Sequence, residues 1–231
     1  MMDINNLIKI IAAVFTFILA VVVGLRVYTL NPRESLNRWF TIFFTSTSIG
    51  FLLYTIYHLI LNNSSVIIPL MITTQIFFNF IPITLVMTVF ILEKYTKGAM
   101  SFKYLGTLII ILIIMSFGYF VWPPELNLSI YNTLGIVDTT TPLYWFIFVN
   151  SIRACLIIYV VYKYAMITKN IEDRIKKKVQ LFFIGIIFVI IAVIINLIGG
   201  IIDFVIIEVI ALVTIDIGSI VILRGFLLKS N

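Results

Sequence analysis

Seven apolar stretches, at about 7–27, 39–61, 66–92, 102–122, 143–162, 179–202 and 204–223, decide what this chain is able to become. Each is close to the ~20 residues needed to cross a hydrocarbon core about 30 Å thick. Inside lipid, backbone groups have to be satisfied within their own segment, so runs of this length must be helices. Of the 231 residues 62% are hydrophobic and 11% charged, and the mean hydropathy is +1.17. Soluble domains have roughly half their residues apolar and about a quarter charged, so water is excluded as the solvent. The chain therefore reads as one all-α domain, 1–231: a polytopic membrane bundle of seven transmembrane helices. The last two spans, separated by a turn around Gly199, Gly200 and Asp203, must form an antiparallel hairpin.

The first stretch is expected to be retained as a helix. Its apolar part outlasts the roughly 7–15 residues of a signal-peptide core, and Arg26 stands where small residues should mark cleavage. Direction follows from the basic residues. Arg26, Arg33 and Arg38 lie between spans one and two, and Lys94, Lys97 and Lys103 between three and four. Lys163, Lys169, Arg174, Lys176, Lys177 and Lys178 follow span five, and Arg224 and Lys229 lie in the tail. Fourteen of the sixteen Lys and Arg thus share one side, with only Lys9 at the other end and Arg153 within a span. The positive-inside rule puts that side in the cytoplasm, the C-terminus with it and the N-terminus outside, in the cell membrane. Sequons starting at Asn62, Asn63 and Asn127 all fall in expected outside loops. The basic cluster after Glu172 and Asp173 reads as a topology anchor on helices that extend beyond the membrane. The outside connection 123–142 opens with Pro123-Pro124, which stops the fourth helix. It is apolar enough to lie on the bundle, as a lid over a pocket or as a plain connection.

Ionisable groups within spans are costly and mark function by default. Counting about 1.5 Å per residue from the outer ends, Arg153 lies roughly 15 Å deep, Glu208 roughly 6 Å and Asp216 roughly 18 Å. An Arg153–Asp216 ion pair is expected, with Glu208 above it. Gln75 and Asn79, one turn apart on helix three, reach similar levels, as do Asn150 on helix five and Asn196 on helix six. These seven residues are the candidate ligand-binding set. Most strongly polar groups thus occupy the outer half, which argues for an outward cavity and against a continuous pore. Tyr54, Tyr57 and the lone histidine, His58, end helix two at the outer boundary, and Cys155 reads as a small buried hydrophobe.

No HExxH, GxSxG, GxGxxG or Walker sequence is present, and one histidine with one cysteine cannot make a metal site of that kind. No catalytic residue, metal or cofactor is expected, and an enzyme is disfavoured. The charge of +6 could suggest nucleic acid, but the chain has no basic arm and no RNA-stacking motif, so lipid is the expected partner of those cations.

The connection and second helix carrying Asn31-Pro32…Asn37-Arg38-Trp39-Phe40…Gly50-Phe51, the basic run before Gly185, and the closing Ile222-Leu223-Arg224-Gly225-Phe226-Leu227-Leu228 together resemble a known layout. It is that of the seven-transmembrane N-terminal sensor region of prokaryotic histidine kinases and related signalling proteins. The resemblance implies an N-out bundle that senses a small or amphiphilic ligand and signals through its last helix to a cytoplasmic or membrane partner. No phosphoacceptor or ATP site accompanies it here, so kinase activity is not implied. A small-solute transporter or channel and an accessory subunit of a membrane complex are the alternatives. Pro69 and Pro82 are expected to interrupt helix three, yet no matching break in helix six supplies the repeat a transporter would favour.

Overall fold

A computed structural model describes residues 4–60, 63–169, 173–202 and 205–227. Asn62, Glu172, Asp203, Leu228 and Lys229, discussed above, lie outside the described residues. The helices are α1 (Ile4–Leu30), α2 (Ser35–Leu59), α3 (Ser64–Ala99), α4 (Thr107–Val121), α5 (Leu128–Leu134), α6 (Leu143–Thr168), α7 (Asp173–Ile202) and α8 (Val205–Leu227). A π-helical segment, Phe102–Gly106, leads directly into α4. All but the short α5 are long and apolar enough to cross a membrane, α4 together with the π-helical segment before it. The fold is an all-α seven-helix membrane bundle. An odd number of spans puts the two chain ends on opposite faces, here termed the N face and the basic face.

Six of the helices close a ring in the order α1, α2, α3, α6, α7, α8 and back to α1. Helix α4 stands outside it, against α3 and α6. Its burial shows the placement: Met115, Ser116, Gly118 and Tyr119 face inward, while Ile109, Ile110, Ile113, Ile114, Phe117 and Phe120 are exposed to where lipid would be. The tightest seam is α7–α8. A Cβ on Gly185 would fall 2.7 Å from the Gly218 carbonyl oxygen, and one on Gly218 2.8 Å from that of Gly185. Only glycine at both positions lets two backbones come this close.

The core is densest at the basic face. Phe40 of α2 meets Phe182 of α7 edge-on at 4.9 Å, across the ring, and Phe182 meets Tyr164 of α6 at 5.2 Å. The Tyr164 hydroxyl lies 2.9 Å from that of Thr88 on α3. Four helices are thereby tied together by one aromatic plug. Span hydroxyls are satisfied locally: Thr47, Thr55 and Thr74 each donate to the carbonyl four residues back, which removes the cost of burying them.

Two expectations are corrected. Pro69 and Pro82 do not interrupt α3, which runs through both; its one non-helical residue is Tyr95, at φ 56° near the basic face. Pro69 is the sixth residue of α3, past the free donors of the first turn, so it removes one ladder hydrogen bond without breaking the helix. Pro82 is buried among neighbouring helices, which hold the span in register through it. Cys155 is exposed rather than buried. It shares a stripe with Ser151, Ile158 and Tyr162 along the outer surface of α6, and an apolar run cannot show which of its sides meets lipid.

The connection after α4 forms a small cap. Glu125–Leu126 pairs antiparallel with Thr139–Thr140, and Asn127 caps α5 by accepting from the Ile130 amide. Gly135 ends it in the left-handed region at φ 66°. Tyr131 packs with Tyr57, Ile67 and Met71 and donates to the Ile60 carbonyl at 3.0 Å. The cap therefore sits on the α2–α3 end of the bundle.

Candidate functional site

Three helices each contribute two polar residues one turn apart, so each pair shares a face: Gln75 and Asn79 on α3, Ser116 and Tyr119 on α4, Asn150 and Arg153 on α6. They meet around the Arg153 guanidinium. The Asn79 carboxamide oxygen accepts from Nε at 2.9 Å and Nη2 at 2.6 Å. The Gln75 side-chain oxygen accepts from Nη2 at 2.9 Å and its backbone carbonyl at 3.3 Å. Asn150 accepts from Nη1 at 3.2 Å.

An outer tier holds these acceptors in place. Asn79 Nδ2 donates to the Met115 carbonyl at 3.0 Å and to Ser116 Oγ at 3.3 Å. The Tyr119 hydroxyl donates to Gln75 at 3.3 Å, and Asn150 Nδ2 to the Phe146 carbonyl at 2.9 Å. Asn79 is fully buried and Tyr119 nearly so, whereas Arg153 and Gln75 remain partly exposed. The acceptors of the guanidinium are neutral amide oxygens, with the Tyr119 hydroxyl beside them. Among the described residues no carboxylate reaches it.

The expected Arg153–Asp216 pair is thus absent. Asp216, on α8, lies 2.6 Å from the hydroxyl of Thr16 on α1, which also lies 3.0 Å from the Ala12 carbonyl. The depths match, but α7 stands between α6 and α8 in the ring, and ring order is invisible to a depth count. Glu208 does not crown that pair either. It forms a salt bridge with Lys9 of α1, with side chains 25% and 13% exposed respectively. Lys9 also lies over the Tyr54 ring, 5.6 Å from its centroid. Because α1 and α8 both start at the N face and run parallel, Lys9 meets Glu208 and Thr16 meets Asp216 one level deeper.

Asn196 stands apart from both groups. It is exposed, without a hydrogen-bond partner among the described residues. Fourteen positions separate it from Phe182, roughly 40° from the same face of α7. Phe182 on that face is packed into the aromatic plug; Asn196, close to the N face, is not covered. The described aromatic packing thus fills the basic-face end of the ring, and Asn196 is exposed towards the N face. Of the seven candidate residues, Gln75, Asn79, Asn150 and Arg153 form one cluster, while Glu208 and Asp216 belong to the α1–α8 seam. Lys9, Thr16, Ser116 and Tyr119 complete the two networks. Ser116 and Tyr119 were legible as an i, i+3 pair interrupting an otherwise apolar span, and Lys9 as a lone cation inside the first.

Among the described residues no group of three or more His, Cys, Asp or Glu is placed to hold a metal ion. No protein-family model and no curated protein sequence matches the chain. Its site is read from its own chemistry.

Proposed function

We propose that this protein is a receptor-like membrane sensor, with the N face outside the cell. It binds a small or amphiphilic ligand from that side and signals through a partner at the basic face. One observation carries the reading: the polar residues that could meet a ligand lie towards the N face, while Phe40, Phe182 and Tyr164 close the ring at the other end. A transporter needs access to both sides in turn. An outward-facing transporter would be closed at the same end, so uptake, not the aromatic packing, separates the two readings.

The loop that carries part of the resemblance to sensor regions has a definite structural role. Arg38 Nε donates to the Pro32 carbonyl at 2.8 Å and Asn37 Nδ2 to that of Asn31 at 3.3 Å, folding the first basic-face turn beneath the plug.

The reading is tested by thermal-shift screening of purified protein in detergent against amphiphiles, amino acids, sugars and lipids, with Arg153→Ala and Glu208→Ala as controls. Saturable stabilisation lost in Arg153→Ala, with no uptake of the hit into proteoliposomes, is the expected result. Uptake of the hit would make the protein a transporter. A stable bundle that binds nothing in the screen would favour the accessory-subunit alternative.

A further inference from the structure

A guanidinium is ionised at any physiological pH, and a buried charge is costly unless an opposite charge or a full set of hydrogen bonds compensates it. Arg153 has only the second kind of compensation, from amide oxygens and from the Tyr119 hydroxyl beside it. Nη1 directs one hydrogen bond to Asn150, although the group has two protons there. The side chain is half-buried. The amide frame is itself braced by Met115, Ser116, Tyr119 and Phe146, so the positive group is fixed before any ligand arrives. In the same α4–α6 seam the buried Trp145 indole nitrogen has no acceptor. The two carboxylates nearest in depth are engaged on the opposite wall, Glu208 by Lys9 and Asp216 by Thr16. Nothing in the described chain supplies the missing negative charge.

We infer that Arg153 is the anchor for an anionic group, a carboxylate or a phosphate, on a ligand that reaches it from the N face. This deepens the sensor reading and rests on it. Arg presents parallel donors that match the oxygens of such groups, and those charge-assisted bonds are the strong ones. The remainder of the ligand would meet Gln75 and the exposed Asn196, and an alkyl tail would find apolar walls. A free anion and an amphiphile share this headgroup chemistry.

The test is a thermal-shift and Trp-fluorescence titration in dodecyl maltoside. Its probes are octanoate and octyl phosphate, octanol and octylamine as neutral and cationic counterparts, and acetate and inorganic phosphate as tail-less anions. Saturable binding of the anionic octyl probes and not of octanol or octylamine is expected, weakened at least about tenfold in Arg153→Gln. Loss of binding in Arg153→Gln does not by itself separate a lost contact from misfolding, so Asn79→Asp serves as the second variant. It keeps the shape of the site but gives the guanidinium an internal carboxylate, so the anion should be displaced while the fold stays intact. Equal binding of acetate or phosphate would identify a free ion as the source, and a requirement for the tail an amphiphile; both support the anchor. Octanol or octylamine binding as well as octanoate, unmoved by Asn79→Asp, would overturn the anionic class and leave the sensor reading standing. Failure of every probe, with a neutral hit from the broader screen, would have the same meaning. Failure of every probe and of the whole screen would sink both.

Discussion

One oxygen of Asn79 is shared by two nitrogens of Arg153, Nε at 2.9 Å and Nη2 at 2.6 Å, and no other residue holds the guanidinium so squarely. Removing that oxygen takes away the main acceptor of a half-buried charge, a loss of about 1.5–3 kcal/mol for a hydrogen bond to a charged group. Asn79→Leu should therefore lower the thermal unfolding midpoint strongly. Asn79→Leu combined with Arg153→Leu should be less harmful than Asn79→Leu alone, because the orphaned charge goes too. Scanning calorimetry of both variants in detergent decides it.

Arg153 and Asp216 belong to separate networks, so their substitutions should not couple. The costs of Arg153→Leu and Asp216→Asn are expected to add to within about 0.5 kcal/mol. Strong rescue of one by the other would restore the ion pair between α6 and α8.

Lys9 and Glu208, in contrast, should couple. Their side chains are neither fully buried nor free in water, which places the interaction between surface pairs and dry ones, at about 1–2 kcal/mol. Lys9→Met and Glu208→Gln should each destabilise the bundle, and the double variant should recover part of the loss in a double-mutant cycle.

Cys155 lies on the outer surface of α6. Cys155→Leu should shift stability by no more than about 0.5 kcal/mol, as surface exchanges do. Asn150→Leu, one turn and a half away but facing inward, should cost several times more. A large loss from Cys155→Leu would return the thiol to the core.

On a Cys155→Ser background, a cysteine replacing Ser129 in α5 should react with an impermeant maleimide on intact cells. One replacing the exposed Lys103 should react only after permeabilisation. The reverse pattern would invert the assigned orientation.

The number and helical type of the spans could be read from the sequence because each depends on one segment at a time, whereas the short α5 and the two-stranded pairing of the 123–142 connection were not. Apolar run length fixed the spans, and position within a run placed Arg153 and Asp216 near one level. Which helices stand side by side depends on packing between segments, and nothing in a single run encodes it. A depth count alone therefore pairs Arg153 with Asp216, when its acceptors are on α3 and on its own helix. The amide pair Gln75 and Asn79 was legible by its spacing, but the Ser116 and Tyr119 brace required knowing that α4 lies against α3. Cys155 failed for a similar reason: hydropathy reports that a segment is in lipid and is silent on which residues face it.

The mutual approach of Gly185 and Gly218 has a mechanical consequence. With each backbone carbonyl lodged where the other residue's side chain would begin, sliding or rolling α8 alone would drive those carbonyls into the facing backbone. A lone-piston motion of α8 is thereby disfavoured. Any displacement transmitted to the basic face travels as a two-helix lever, and it must be taken up where that lever meets α6 on one flank and α1 on the other.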